Sequence, residues 1–233
     1  MNAQQLSKRL AKVGEFVPNQ ARLADIGSDH AYLPVRLMLA NKISYAVCGE
    51  VVKGPYESAV HQVTLQGLAD KITVRLADGL FAIEPSDNID TITICGMGGT
   101  LIKQILLEGI ERITGEELLV LQPNVGEATL RKYLVANGYT IIAEEILEEN
   151  KKIYEIIVAK KLSQPTSLNE AQYLFGPFLM QEKSPIFIKK WQRELKQRQK
   201  VLQQLQKATQ KHMEKMTELE AEIKLIEEVL VWN

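Results

Sequence analysis

Between Leu23 and Pro34 the chain reads LADIGSDHAYLP, its densest group of residues able to do chemistry. Asp25 and Asp29 flank Gly27, with Ser28 and His30 alongside. A glycine ending an apolar run lets the backbone come close to a ligand, and two carboxylates beside it favour a cation. A dinucleotide is disfavoured on two counts. The G-x-G-x-x-G spacing that seats a pyrophosphate on a helix N-terminus is absent, and Asp29 would repel the phosphates. The bland alternative is an ordinary turn in which Asp29 caps the next helix.

Four later segments share this character. Glu50-Val51 follows the run Tyr45–Gly49, and an acid roughly 20 positions beyond the first turn is placed for the two hydroxyls of an adenosine ribose. Asp78-Gly79 follows Ile72–Leu76 and suits an adenine edge, although Asp-Gly is also a common turn. Cys95-Gly96-Met97-Gly98-Gly99 packs three glycines into four positions, which permits close backbone approach. Gln122-Pro123-Asn124 brings two amide side chains. Each signal is weak alone; together they outline one cleft. Its acidic residues match S-adenosylmethionine, which carries a cationic sulfonium, an ammonium and a ribose diol.

The elements that must position these residues are legible as short apolar runs. Strands are expected at Arg22–Ile26, Tyr45–Gly49, Ile72–Leu76, Thr91–Cys95, Leu118–Leu121, Thr140–Ile146 and Ile153–Lys160. Helical patterns lie between them at Leu33–Asn41, Pro55–Gln66, Thr100–Gly109 and Gly126–Asn137. The alternation predicts an α/β fold, a Rossmann-like doubly wound sheet of seven strands. The gap Leu147–Lys152 is too short for a helical crossover, so the last strand should run antiparallel.

Composition changes after Lys161, which suggests a catalytic unit at 1–161 and a helical unit at 162–233. Leu162–Asn169 reads as a linker, and Ser184-Pro185 as a cap with proline at the first helical position. A heptad frame then carries Ile188, Leu195, Leu202, Ile223 and Leu230 in one row, with Trp191, Leu205, Leu219 and Ile226 in the other. That pattern predicts a coiled coil. Its seam turns polar at Thr209 and His212, so an antiparallel hairpin folding back near 208–215 is favoured, and with it a monomer. A dimer through one long helix is the alternative.

With 28 Lys+Arg against 29 Asp+Glu the net charge is −1, which argues against nucleic acid. Resolved along the chain the argument reverses. Residues 183–215 sum to +8, whereas 1–182 sum to −5 and 216–233 to −4. A basic rod attached to such a domain suits RNA phosphates, although it would equally serve as a solvated face paired with its acidic neighbour. Cys48 and Cys95 stand apart from one another and from histidine clusters, so no metal site and no disulfide is expected. No signal peptide and no run of about 18 apolar residues is present, so a cytoplasmic protein without a membrane partner is expected.

The run DIGSDHAYLP, followed in order by GEV, ADGL, CGMGG and QPN, resembles the bacterial tRNA adenine-22 N1-methyltransferases over residues 1 to about 161, and the helical tail agrees in character. The resemblance implies a class I methyltransferase that uses S-adenosylmethionine to methylate N1 of a D-arm adenine, with a coiled-coil domain that helps hold the tRNA. The cofactor would then lie against Asp25, Gly27, Ser28, Asp29, His30, Glu50, Val51, Asp78, Gly79, Gly96, Met97 and Gly98. Asp29 is expected to stabilise the charge developing on the base. Asn124 and Gln122 are expected to read its edge.

The Asn/Asp-Pro-Pro-Tyr/Phe motif of many adenine methyltransferases is missing after the fourth strand, and Cys95–Gly99 fills that slot. Tyr32 is one candidate for stacking the base, though a packing role is equally common at such a site. For the RNA, expected contacts are Lys8, Arg9 and Lys12 on an N-terminal helix and Lys189, Lys190, Arg193 and Lys196 on the rod. The rival readings are a methyltransferase acting on another RNA or a small molecule, and a degenerate fold serving as a coiled-coil interaction module.

Overall fold

The computed structural model describes residues 6–163, 167–207 and 213–231. Seven strands form one sheet: β1 (Ala21–Ile26), β2 (Ile43–Glu50), β3 (Ile72–Leu76), β4 (Thr91–Gly98), β5 (Leu118–Val125), β6 (Tyr139–Glu149) and β7 (Lys152–Lys161). Their order is β3-β2-β1-β4-β5-β7-β6. The first five are parallel, while β7 runs antiparallel to both β5 and β6. The expected Rossmann-like sheet with an antiparallel final strand is the fold observed.

Strand residues alternate between two buried faces. Leu23, Val120, Ile156 and Val158 join a core with α1 (Lys8–Phe16), α2 (Tyr32–Leu39) and α3 (Lys53–Leu65). Their neighbours Ala24, Leu119, Leu121, Ile157 and Ala159 join a second core with α4 (Gly99–Glu108) and α5 (Glu127–Ala136). A strand buried on both faces must be apolar throughout, which is why these strands appear as continuous runs.

Past the end of their pairing with β5, β6 and β7 continue as a hairpin arm, the expected antiparallel pair extended to Glu149 and Lys152. β5 pairs β7 only from Leu119 to Leu121, whereas β6 and β7 stay paired to Glu149 and Lys152. Asn150 and Lys151 turn the arm with φ of 50° and 64°, the left-handed turn that matches strand twist. The charged residues along the arm are divided between its two covered faces. On β6, Glu145 and Glu149 meet α1 while Leu147 packs into the α1-side core. Glu144, Ile146 and Glu148 meet the C-terminal helices on the other face.

Two short helices, α6 (Glu170–Phe175) and α7 (Leu179–Glu182), precede α8 (Pro185–Lys207) and α9 (Met213–Val231); neither short helix was foreseen. Ser184 Oγ accepts from the Phe187 amide at 3.3 Å, the expected cap. α8 and α9 pack antiparallel: Phe187 and Trp191 near the start of α8 share a core with Ile226 and Val229 near the end of α9. Ile146 of the arm and Phe175 complete that core. The polar break at Thr209 and His212, and part of the expected linker, lie outside the described residues. Among the described residues no helix is long and apolar enough to cross a membrane.

Candidate functional site at the carboxyl edge of the sheet

The β1–α2 turn is built largely from left-handed residues. Gly27, Asp29, His30 and Ala31 all have positive φ, at 69°, 42°, 69° and 56°. A run of left-handed residues other than glycine costs on the order of 1 kcal/mol each, so something must hold it. Glu50 does so. Its Oε1 accepts from Ser28 Oγ at 2.9 Å and from the Asp29 amide at 2.6 Å. Ala31 is the N-cap of α2 and no side chain caps the helix, so Asp29 is not a helix cap. Its side chain is 76% exposed, with Oδ1 3.5 Å from His30 Nε2, and the His30 ring stacks on Tyr32 at 5.2 Å.

Beneath the turn, Asp25 is buried and its Oδ1 accepts from Thr93 Oγ1 at 2.5 Å. Burial pushes its carboxyl up to about 7; the Thr93 bond pulls the other way, and the charges of Glu50 and Asp29 add to the rise. A cation arriving here would relieve that repulsion and favour the ionised form. Gly27 holds φ of 69°, a backbone that side chains rarely adopt, and a Cβ there would also have to displace the Met97 methyl, 2.1 Å away.

Glu50 and Asp78 end adjacent strands. The Ala77 amide donates to the Glu50 carbonyl at 2.8 Å, and Asp78 follows as an exposed N-cap whose side chain makes no capping bond. Gly79 (φ 49°) carries the chain into a 3-10 turn. Val51 is an exposed apolar residue beside Glu50. The far half of the rim is wired through amides. Gln122 Oε1 accepts from the Gly96 amide at 3.0 Å and from Arg9 Nη1. Asn124 Nδ2 donates to the Gly96 carbonyl at 2.7 Å, and Gln122 Nε2 donates to Asn124 Oδ1 at 3.3 Å. Gly98 is the N-cap of α4, so the glycines serve the strand-to-helix turn as well as the rim.

These groups fit an adenosyl sulfonium. Glu50 Oε2 has no partner among the described residues, which leaves a nearly buried carboxylate oxygen for a diol. Asp25 supplies negative charge below the turn, and Val51 an apolar surface. Burial pushes the Cys48 and Cys95 thiols up, which keeps them protonated.

A family model described as tRNA (adenine(22)-N(1))-methyltransferase matches residues 23–228. The chain belongs to this family. A Bacillus subtilis relative described as tRNA (adenine(22)-N(1))-methyltransferase is 44% identical over 236 residues, covering 99% of each chain. The crystal structure of the B. subtilis m1A22 tRNA methyltransferase TrmK is 43% identical with a TM-score of 0.91, covering 97% of this chain and 99% of that one. M. capricolum TrmK in complex with S-adenosyl-homocysteine is 30% identical, with a TM-score of 0.85 and 97% of each chain covered. The match to the methyltransferase family runs from Leu23 within β1 through the rest of the sheet to Glu228 in α9, leaving out α1. Lys8, Arg9 and Lys12 lie ahead of it.

In this methyltransferase the basic residues divide by environment. Lys190 is paired with Glu127 and Glu155, each at 2.7 Å, and its side chain is 16% exposed. Burial alone would lower it, but the two carboxylates outweigh burial and raise it. The expected phosphate contact at Lys190 is therefore replaced by an internal ion pair. Lys189 is mostly exposed and bonds Glu148, and Arg198 is tied to Glu194 and Glu222, so part of the rod does pair with acidic neighbours. Arg193 and Lys196 are exposed and make no ion pair among the described residues. Lys12 pairs with Glu15 and Glu145; the Lys8 and Arg9 amides donate to Glu149, fixing α1 on the arm.

A cleft of about 690 Å³ lies between Asn124–Ala128 and the helices, with Lys152, Tyr154, Trp191 and Arg193 in its walls. Tyr154, Lys152 and Trp191 carried no site signal in the sequence, because strand residues near a charged turn and a heptad tryptophan look like ordinary surface and core.

Proposed function

We infer that this protein transfers the methyl group of S-adenosylmethionine to N1 of adenine 22 in tRNA. The observation that carries the reading is a family match running through the acidic cofactor rim and on into both long helices. When bound, S-adenosylmethionine supplies a methyl group on a cationic sulfur that departs as a neutral thioether. The residues proposed to hold it are Asp25, Gly27 and Ser28 at the first turn, Glu50 with Val51, Asp78 with Gly79, and Gly96–Gly98. Adenine N1 has an in-plane lone pair and needs no prior deprotonation. The work left to the chain is to align the base, exclude water and stabilise the positive charge the base acquires. Asp29, exposed at the tip of a held turn, serves the last role. Asn124, its orientation set by Gly96 and Gln122, serves the adenine edge. N1 lies on the Watson–Crick edge, so the base must be unpaired or extruded to enter. A tRNA substrate supports a cytoplasmic location for the reaction.

The test is transfer of labelled methyl to unmodified tRNA, followed by a nucleoside digest that identifies the methylated base and primer extension that locates it. The label is expected in 1-methyladenine at position 22. Asp29→Ala is expected to lower turnover roughly 100-fold, as loss of one charge-stabilising group does. The melting temperature should be lowered by only a few degrees, because the side chain is exposed and alanine merely suits the left-handed backbone less well. Label elsewhere overturns the reading, and near-normal turnover overturns Asp29.

For the rod, tRNA affinity should fall steeply with salt. Replacing Arg193 and Lys196 by alanine should reduce the log–log salt slope by roughly 0.7 to 0.9 per residue. Lys190→Met should weaken binding without altering the slope. Equal slope changes at all three residues would refute this division.

A further inference from the structure

Sequence patterns leave one part of an adenine methyltransferase unassigned, the aromatic ring that receives the base. We propose that Tyr154 is that ring, and that it also stabilises the positive charge the base acquires; the assignment rests on the reading of the protein as an adenine methyltransferase. Strand order sets the location. Glu50 and Asp78 end β2 and β3 on one side of β1, whereas Gly96, Gln122 and Asn124 end β4 and β5 on the other. The acceptor belongs on the second side, across from the ribose and adenine of the donor.

The other aromatics near the rim are placed elsewhere or engaged. Phe81 follows β3 on the donor side of the sheet, away from β4 and β5. Tyr56 lies on α3, which follows β2. Tyr32 stacks on His30 and packs against the core. Trp191 is buried edge-on to Phe175 at 4.6 Å.

Tyr154 is different. It sits on β7, the neighbour of β5, is half-buried, and lines the cleft together with Asn124. The Arg9 guanidinium lies over its ring, 5.3 Å from the centroid. Arg9 also donates to the Gln122 amide oxygen that receives the Gly96 amide, so the ring is connected to the acceptor half of the rim. A guanidinium is a planar delocalised cation, and a purine methylated at N1 is another. The ring face that attracts the first is suited to the second, and the attraction strengthens as methyl transfer makes the base positive. Arg9 thus marks the position the base takes, and on tRNA binding its charge is released toward the phosphate of the extruded nucleotide.

The test compares Tyr154→Phe with Tyr154→Leu in the full-length protein. The phenol hydroxyl has no partner among the described residues, so Tyr154→Phe should keep kcat/KM within about threefold of the starting protein. Tyr154→Leu should lose roughly 10- to 100-fold, the usual cost of removing a base-stacking ring. Affinity for S-adenosylmethionine by calorimetry should be unchanged in both. With 2-aminopurine in place of the target adenine, stacking should quench its fluorescence in the Phe variant and not in the Leu variant.

Normal turnover of Tyr154→Leu, or equal quenching in both variants, overturns the assignment while leaving the methyltransferase reading intact. Absence of any methyl transfer by the unsubstituted protein overturns both. Arg9→Met separates a scaffold role: if it alone reproduces the whole Leu defect and the double variant loses no more, Tyr154 only holds Arg9 and the assignment fails.

Discussion

Replacing Arg131 with methionine is expected to lower the unfolding free energy by about 3–5 kcal/mol, the cost of breaking a buried ion pair from one side. Arg131 is fully buried on α5, and so are its partners. Nε donates to Glu144 at 2.7 Å and Nη2 to Glu155 at 2.5 Å, while Nη1 reaches the carbonyls of Tyr173 and Leu174. Glu144 Oε2 also accepts from the Phe178 amide, and Lys190 of α8 closes the set on Glu155 and Glu127. Burial raises the Glu144 carboxyl, offset only in part by Arg131. Burial works to raise Glu155 as well, but Lys190 and Arg131 together hold it below its ordinary value.

Without Arg131 two carboxylates share a dry site facing a single lysine. The cluster ties β6, β7, α5 and α8 together, so tRNA affinity should fall along with stability. S-adenosylmethionine affinity, determined at the other end of the sheet, should change little. Thermal melts check the first effect, with a loss of roughly 10 °C expected, and titrations with each ligand check the others. A melting temperature within two degrees of the original would show that the cluster contributes little. Replacing Arg131, Glu144 and Glu155 together by apolar residues should cost less than the single change, because no buried charge is then left unpaired.

Glu50→Ala is expected to weaken S-adenosylmethionine binding about 100- to 1000-fold, read by calorimetry. Hydrogen bonds to a charged group are worth about 1.5–3 kcal/mol each, and the carboxylate does two jobs. Oε1 holds Ser28 and the Asp29 amide in a turn of left-handed residues, and Oε2 is the proposed partner of the ribose diol. Glu50→Gln keeps an acceptor for the turn and should lose only about tenfold. Were the alanine variant to bind within threefold of the original, Glu50 would be a structural residue alone. The same change should also lower turnover beyond its effect on binding, since Asp29 is carried on the turn that Glu50 holds.

Most of the fold was legible because β-strands buried on both faces leave a strong local mark. The runs at β1 to β5 and the helices between them could be read within a few residues, and Gly27 and Glu50 stood out through their position at strand ends. The hairpin of β6 and β7 was legible up to Ile146 and from Ile153, but its outermost residues Leu147–Glu149 and Lys152 were not, and local sequence carries no sign that α1 covers one face and the C-terminal helices the other. Lys190 was misread for the same reason: a charge run on a helix has the same composition whether it faces RNA or a buried carboxylate.

By itself, then, the sequence determined the kind of protein this is: the parallel sheet, the acidic rim suited to a cationic methyl donor, the basic helical tail and the family. Those properties follow from residue type and spacing along one chain segment. The tertiary structure alone decided which charges are free and which are consumed, and which aromatic ring faces the acceptor side. It also decided that Arg9, from the first helix, reaches the rim beside Gln122. Such facts depend on pairs far apart in sequence, such as Arg9 with Tyr154 and Glu155 with Lys190, and only the packing of the arm between two helical layers brings them together.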